Sequence, residues 1–124
     1  MDWHRFEDWT CDQIRSSGLT VSKTPRVGDG GADVIVRVSS DSGRGAFIQV
    51  KHRSRGKTGV VSENEVLDVL RARDRYPVQC PLFFLVTNGS VDHKGLRVAE
   101  ANAIRIVDHS KVADLAMIVR NSIR

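Results

Sequence analysis

Apolar residues recur along this chain in two periods, and the alternation between them outlines a fold. Between residues 3 and 17, Trp3, Phe6, Thr10 and Ile14 fall at helical spacing, with Asp2 placed to cap the start and Gly18 to stop the end, which predicts an amphipathic helix. Leu19 to Lys23 alternates weakly, and Asp33 to Val38 is a strongly apolar, β-branched run; each predicts a strand. The polar cluster Ser39-Ser40-Asp41-Ser42-Gly43 reads as a hairpin turn into a partner strand, Ala46 to His52. Ser62-Glu63-Asn64-Glu65 has the form of a capping box. Val66, Val69, Leu70 and Arg73 continue one face of the helix it opens, which must end before Pro77.

The run Pro81 to Thr87 is apolar throughout and of strand length, as expected for a central strand buried on both faces, and Asn88-Gly89 punctuates its end. A short helix carrying Leu96, Ala99 and Ala103 follows, then a strand at Ile104 to Val107 and a last helix bearing Val112, Leu115, Ala116 and Val119. The predicted order is αβββαβαβα. Alternating βα units at the C-terminal end imply parallel strands joined by crossover helices, so the expected class is α/β, a mixed β-sheet flanked by helices. With 124 residues, no repeat and no linker composition, a single domain over 1–124 is expected.

Composition narrows the partners. A formal charge of +4 favours contact with a polyanion without being diagnostic of one. Cys11 and Cys80 form no CxxC pair, which argues against a disulfide framework or a zinc site and for a reducing compartment. The N-terminus has no apolar signal region, and no apolar run approaches the roughly 20 residues needed to span a bilayer. The expectation is a soluble cytoplasmic protein with no membrane partner.

The chemistry-bearing pattern is the glycine-rich turn Gly28-Asp29-Gly30-Gly31-Ala32-Asp33, followed after one hairpin by Ile48-Gln49-Val50-Lys51. Side chains alternate faces along a strand, so Gln49 and Lys51 share one side while Ile48 and Val50 take the other. Antiparallel pairing can then set the Asp33 carboxylate beside the amide of Gln49 and the ammonium of Lys51. Spacing alone leaves a plainer reading open, in which Asp33 is a turn acid and Gln49 and Lys51 a solvated strand face. Several other chemistries are excluded. The turn is not an EF-hand, because the twelfth loop position is Ser40, and it lacks the Walker lysine and the GxGxxG pattern. The four histidines have no metal-ligand spacing, and no GxSxG or Cys/His constellation supports covalent catalysis.

Taken together, Phe6-Glu7 on the first helix, the GDGG-x-D turn ending at Asp33, and Gln49-Val50-Lys51 resemble the restriction-endonuclease-like superfamily of PD-(D/E)xK nucleases, and within it the Mrr family, which uses a QxK variant. The Phe84 to Thr87 strand and the stretch from Val107 to Leu115 are similar to that family's C-terminal half. Ala32 stands where a proline often precedes the site aspartate, and no winged-helix targeting domain precedes the motif, which leaves target choice open between this domain and a separate targeting protein or domain.

The resemblance implies a Mg²⁺-dependent DNA endonuclease, with Mn²⁺ able to substitute, serving restriction or defence against foreign DNA. Asp33, the side-chain oxygen of Gln49 and the backbone carbonyl of Val50 would hold the metal. Lys51 would either orient the attacking water and stabilise the pentacovalent phosphate, or act as the base that deprotonates that water. Glu7, spaced with Cys11 and Ile14 on one helical side, is expected to face inward, bordering the metal or serving simply as a first-turn acid. The basic run His52, Arg53, Arg55 and Lys57 reads as a DNA clamp on a mobile loop, or as a solvated loop. The alternatives to an endonuclease are a non-catalytic nucleic-acid-binding module on the same fold, and a Holliday-junction-type resolvase. One catalytic centre per chain would make a homodimer the route to double-strand cutting.

Overall fold

The computed structural model describes residues 3–23, 31–37, 45–75 and 81–123. Asp2, Gly28, Gly30, the 39–43 turn, Pro77 and Cys80 lie outside the described residues, as do the side chains of Asp33 and of the arginines at 71, 73 and 75. The main elements run α1 (Trp3–Ser16), β1 (Thr20–Lys23), β2 (Gly31–Arg37), β3 (Gly45–Lys51), β4 (Val60–Val61), α2 (Glu63–Arg75), β5 (Pro81–Thr87), β6 (Ser90–Val91), α3 (His93–Ala101), β7 (Ile104–Val107) and α4 (Leu115–Ile123). The αβββαβαβα order therefore holds, with β4 and β6 added as a small parallel pair.

Five strands form the main sheet in the order β1-β2-β3-β5-β7. The β1–β2 and β2–β3 pairs are antiparallel, whereas β3–β5 and β5–β7 are parallel. The centre of this sheet is β3, not β5 as the apolar run suggested. Every residue of β3 is buried, including polar Gln49 and Lys51, so its hydropathy understated its position.

Strand alternation sorts the core into two layers. Val34, Val36, Ile48, Val50, Phe84 and Val86 point to α1 and α4, where they meet Phe6, Ile14, Leu115 and Val119. Phe47, Phe83 and Leu85 point to the opposite layer, packing with Val66 and Val69 of α2 and Ala99 of α3. A fully buried side chain of this size contributes roughly 1.5–3 kcal/mol, so both faces of β3 and β5 are strongly anchored. The helix ends follow local chemistry. Gly18 takes φ +91° after α1, a left-handed conformation that glycine adopts at little cost. Asp92 caps α3, its carboxylate accepting from the Gly95 amide at 2.7 Å.

The topology brings four strand ends together. Because β1, β3, β5 and β7 run the same way, Lys23, Lys51, Thr87 and Val107 all close at one end of the sheet, and β2 begins there with Gly31. Ligands of open α/β sheets characteristically sit outside such carboxyl ends.

Candidate active site

Across the β2–β3 pair, Gly31 faces Lys51, Ala32 faces Val50 and Asp33 faces Gln49. The register thus sets Asp33 opposite Gln49, with Lys51 two residues further along β3. Of Asp33 the structure describes the backbone. Gln49 is 8% exposed, and among the described residues no hydrogen bond engages its amide. Lys51, also 8% exposed, lies on the α2 side of the sheet, where its ammonium is 3.5 Å from a carboxylate oxygen of Asp68. Thr87, its register partner on β5, is fully buried and receives the Gly89 amide at 3.0 Å on its hydroxyl.

Glu7 is buried as its helical spacing predicts, but it approaches from the other layer. One carboxylate oxygen lies 3.4 Å from the ammonium of Lys23, and the other is buried with no hydrogen-bond partner among the described residues. Lys23 also pairs with Asp8, and its position on β1 is opposite Val34, next to Asp33. Phe6 meets the His52 ring at 5.9 Å between centroids. Both contacts place the first turns of α1 at the Lys51 end of the sheet, while Glu7 touches neither Gln49 nor Lys51. The Asp8 hydrogen bond and the Glu7 charge raise the Lys23 pKa against the opposing effect of burial. Burial likewise pushes the Cys11 thiol up.

The basic run is tied down rather than loose. Asn88 grips the backbone of Arg53 at two points, accepting from its amide at 2.7 Å and donating to its carbonyl at 2.9 Å. The Gly59 amide closes a short 3₁₀ turn onto Gly56 at 2.9 Å, and the Gly59 carbonyl accepts from the Ser90 amide at 2.9 Å. The guanidinium of Arg53 pairs with Glu65 of α2 and donates to the Val60 carbonyl at 3.0 Å, and burial lowers its pKa. His52 and Arg53 are thus committed to intramolecular contacts, leaving Arg55 and Lys57 exposed at the loop surface. Ser54, Arg55 and Thr58 help line a shallow pocket of about 280 Å³ beside Arg53.

Sequence reading missed Asp68, Asn88 and Lys23. Nothing in the sequence singles out Asp68 among the acids that could balance Lys51, and Asn88 was hidden by the ordinary meaning of Asn-Gly as a turn. Glu65 was legible only as a capping residue, whereas its carboxylate meets Arg53.

Comparison with known proteins agrees with this architecture. A protein of unknown function, AF1548, superimposes with a TM-score of 0.65 at 13% identity, covering 97% of this chain and 67% of that one. The MspJI restriction endonuclease, solved in complex with a 27-mer oligonucleotide, gives 0.56 at 18% identity, with coverage of 96% and 29%. EndoMS in its apo form gives 0.60 at 14% identity, with coverage of 86% and 45%, so the chain spans less than half the length of the latter two. At these identities the likeness is one of fold. Comparison with curated proteins gives no match. A family model for the Mrr catalytic domain, described as restriction endonuclease, matches residues 1–116, and the chain belongs to that nuclease family.

Proposed function

We propose that this chain is a Mg²⁺-dependent DNA endonuclease acting in restriction or defence against foreign DNA. The observation that carries the reading is the register of Asp33 opposite Gln49, with a buried Lys51 next on the same face of β3. The donors at the strand pair fit a hard cation, a carboxylate position and an amide with no partner among the described residues, while Glu7, in the α1 layer, keeps one buried oxygen without a partner among them. Asp33, the Gln49 side-chain oxygen and the Val50 carbonyl would hold the ion, a small protein share of the kind Mg²⁺ accepts because it keeps several waters. When bound, Mg²⁺, or Mn²⁺ in its place, would supply positive charge beside the phosphate and a water acidic enough to attack it.

The chain's own groups do the remaining work. Lys51 would face the charge that develops on the phosphate oxygens, and Glu7 would lend negative charge from the α1 layer. Arg55 and Lys57, exposed just beyond β3, would meet backbone phosphates. MspJI, solved with an oligonucleotide, lends support to DNA as the partner.

One observation favours a second reading, a non-catalytic nucleic-acid-binding module: Gln49, the residue opposite Asp33, is neutral and brings no second acid to the site. Incubating the purified protein with supercoiled plasmid in Mg²⁺, Mn²⁺ or EDTA separates the two. Cutting in either metal and none in EDTA is expected. Binding without cutting in all three conditions would overturn the enzyme and leave the module.

A further inference from the structure

The segment leaving β3 and the first turns of α2 are joined by two ion pairs. Lys51 meets Asp68, and Arg53, two residues later, meets Glu65, three residues earlier on the helix. Residues three apart lie on one face of a helix, so Glu65 and Asp68 present a common acidic face to this segment. Neighbouring Val66 and Val69 are buried in the core with Phe47, which fixes α2 against the strand that carries Lys51. A nearly buried ammonium needs a counter-charge. Gln49, two residues earlier on β3, carries none.

We propose that Asp68 is the positioning residue for Lys51, so that α2 supplies at this site the acid that β3 lacks at Gln49. The ammonium is tethered to the backbone by a flexible chain of four methylenes, and unaided it would sample many rotamers. The Asp68 carboxylate selects those that keep it at the end of β3, and the Arg53–Glu65 pair beside it holds the helix in register with the strand. Asp68 itself need not touch substrate. The inference rests on the nuclease reading for its catalytic consequence, while the pairing stands on geometry alone.

The test is single-turnover cleavage of a labelled duplex in Mg²⁺ by wild type, Asp68→Asn and Asp68→Glu, with DNA affinity measured separately in Ca²⁺. Asp68→Asn should slow cleavage roughly tenfold to a hundredfold, as expected when a reacting group is misplaced by about an ångström, while affinity stays within about twofold. Asp68→Glu should recover most of the rate. Wild-type cleavage by Asp68→Asn, failure of Asp68→Glu to do better than Asp68→Asn, or a parallel loss of affinity would each overturn the positioning role. If the wild-type protein cuts nothing, the nuclease reading falls, and the lysine side-chain NMR signal of Lys51 decides the pairing. That signal should move in Asp68→Asn and stay fixed in the distant surface control Glu100→Gln; no movement in Asp68→Asn would overturn it.

Discussion

Asp33 lies directly opposite Gln49 across the antiparallel pair of β2 and β3. A slip of one residue would break this correspondence and turn the apolar positions of β2 out of the core. Val34 and Val36, both fully buried against the α1 layer, therefore lock the register that the proposed site needs. Core packing and site assembly are one constraint here.

Asp33→Ala and Gln49→Ala should each reduce metal-dependent plasmid cleavage by more than about a hundredfold, since even groups behind a metal ligand commonly cost ten- to a hundredfold. Circular dichroism and melting temperature should change little. Among the described residues, Gln49 has no hydrogen-bond partner to strand when it is removed. Cutting that survives Asp33→Ala in a nuclease-free preparation would refute the assignment.

The basic loop should divide into two functions. Replacing exposed Arg55 and Lys57 by Ala should weaken DNA binding and flatten its salt dependence by roughly 0.9 in log–log slope for each phosphate left unneutralised. Arg53→Ala should act on stability, by about 1 kcal/mol, through loss of the Glu65 pair and of the bond to Val60. Fluorescence anisotropy over a salt series and urea unfolding measure the two effects. Equal slopes in wild type and the double variant would show that the loop is only solvated.

Gly89→Ala should be among the most damaging single-methyl additions. A Cβ at Gly89 would lie 2.5 Å from the Gly59 carbonyl oxygen, which is backbone and already accepts from Ser90. The Arg53 loop or the β6 segment must move, at a cost of roughly 1–3 kcal/mol. Thermal melting checks the loss, and an unchanged melting temperature would mean that the loop yields freely.

Alkaline pH should erode stability in two steps. Burial raises the Cys11 pKa, and the Asp8 hydrogen bond, with Glu7, raises that of Lys23. In both cases the folded state keeps its proton to a higher pH than the unfolded chain. The stabilising contribution is whole below the unfolded pKa and is lost as pH climbs through the folded one. Stability should fall above about pH 8.5 for the thiol and again above about pH 10.4 for the amine. Urea titrations at increasing pH should show the first step vanish in Cys11→Ala; identical pH profiles for the two proteins would remove the thiol from the account.

How far the sequence reveals this molecule depends on the range of each interaction. Phe6, Thr10 and Ile14 are buried as their spacing requires, and the apolar run of β5 is a strand covered on both sides, because period and burial are local signals. The Asp33–Gln49 correspondence could be anticipated because a hairpin joins neighbours in sequence. Asp68 and Asn88 were not legible in this way. Asp68 meets Lys51 across a strand-to-helix connection, and Asn88 meets Arg53 only after β5 has returned beside β3. Such contacts are set by topology, and a polar side chain gives no periodic sign of the partner it will find. The loop after β3 was expected to be mobile for the same reason: its glycines read as freedom, whereas Gly59 is there for the close approach of Arg53 and Gly89.

Cutting both strands of a duplex should require two copies of this chain. Each proposed centre lies at one end of one sheet and can attack only the strand that occupies it. A two-fold pair is the commonest arrangement that presents equivalent sites to two strands. Leu67 of α2 and Met117 of α4 are exposed apolar residues, 39% and 56% accessible, on the two helices that such a pair could use. Leu67→Glu and Met117→Glu should therefore differ, with one converting double-strand cutting into nicking and lowering the mass seen by light scattering while the other leaves both unchanged. A protein that sediments as a strict monomer with DNA bound, yet makes concerted double-strand breaks at limiting concentration, would refute the pairing. A monomer that only nicks would refute it too, but would leave Asp33, Gln49 and Lys51 as the site.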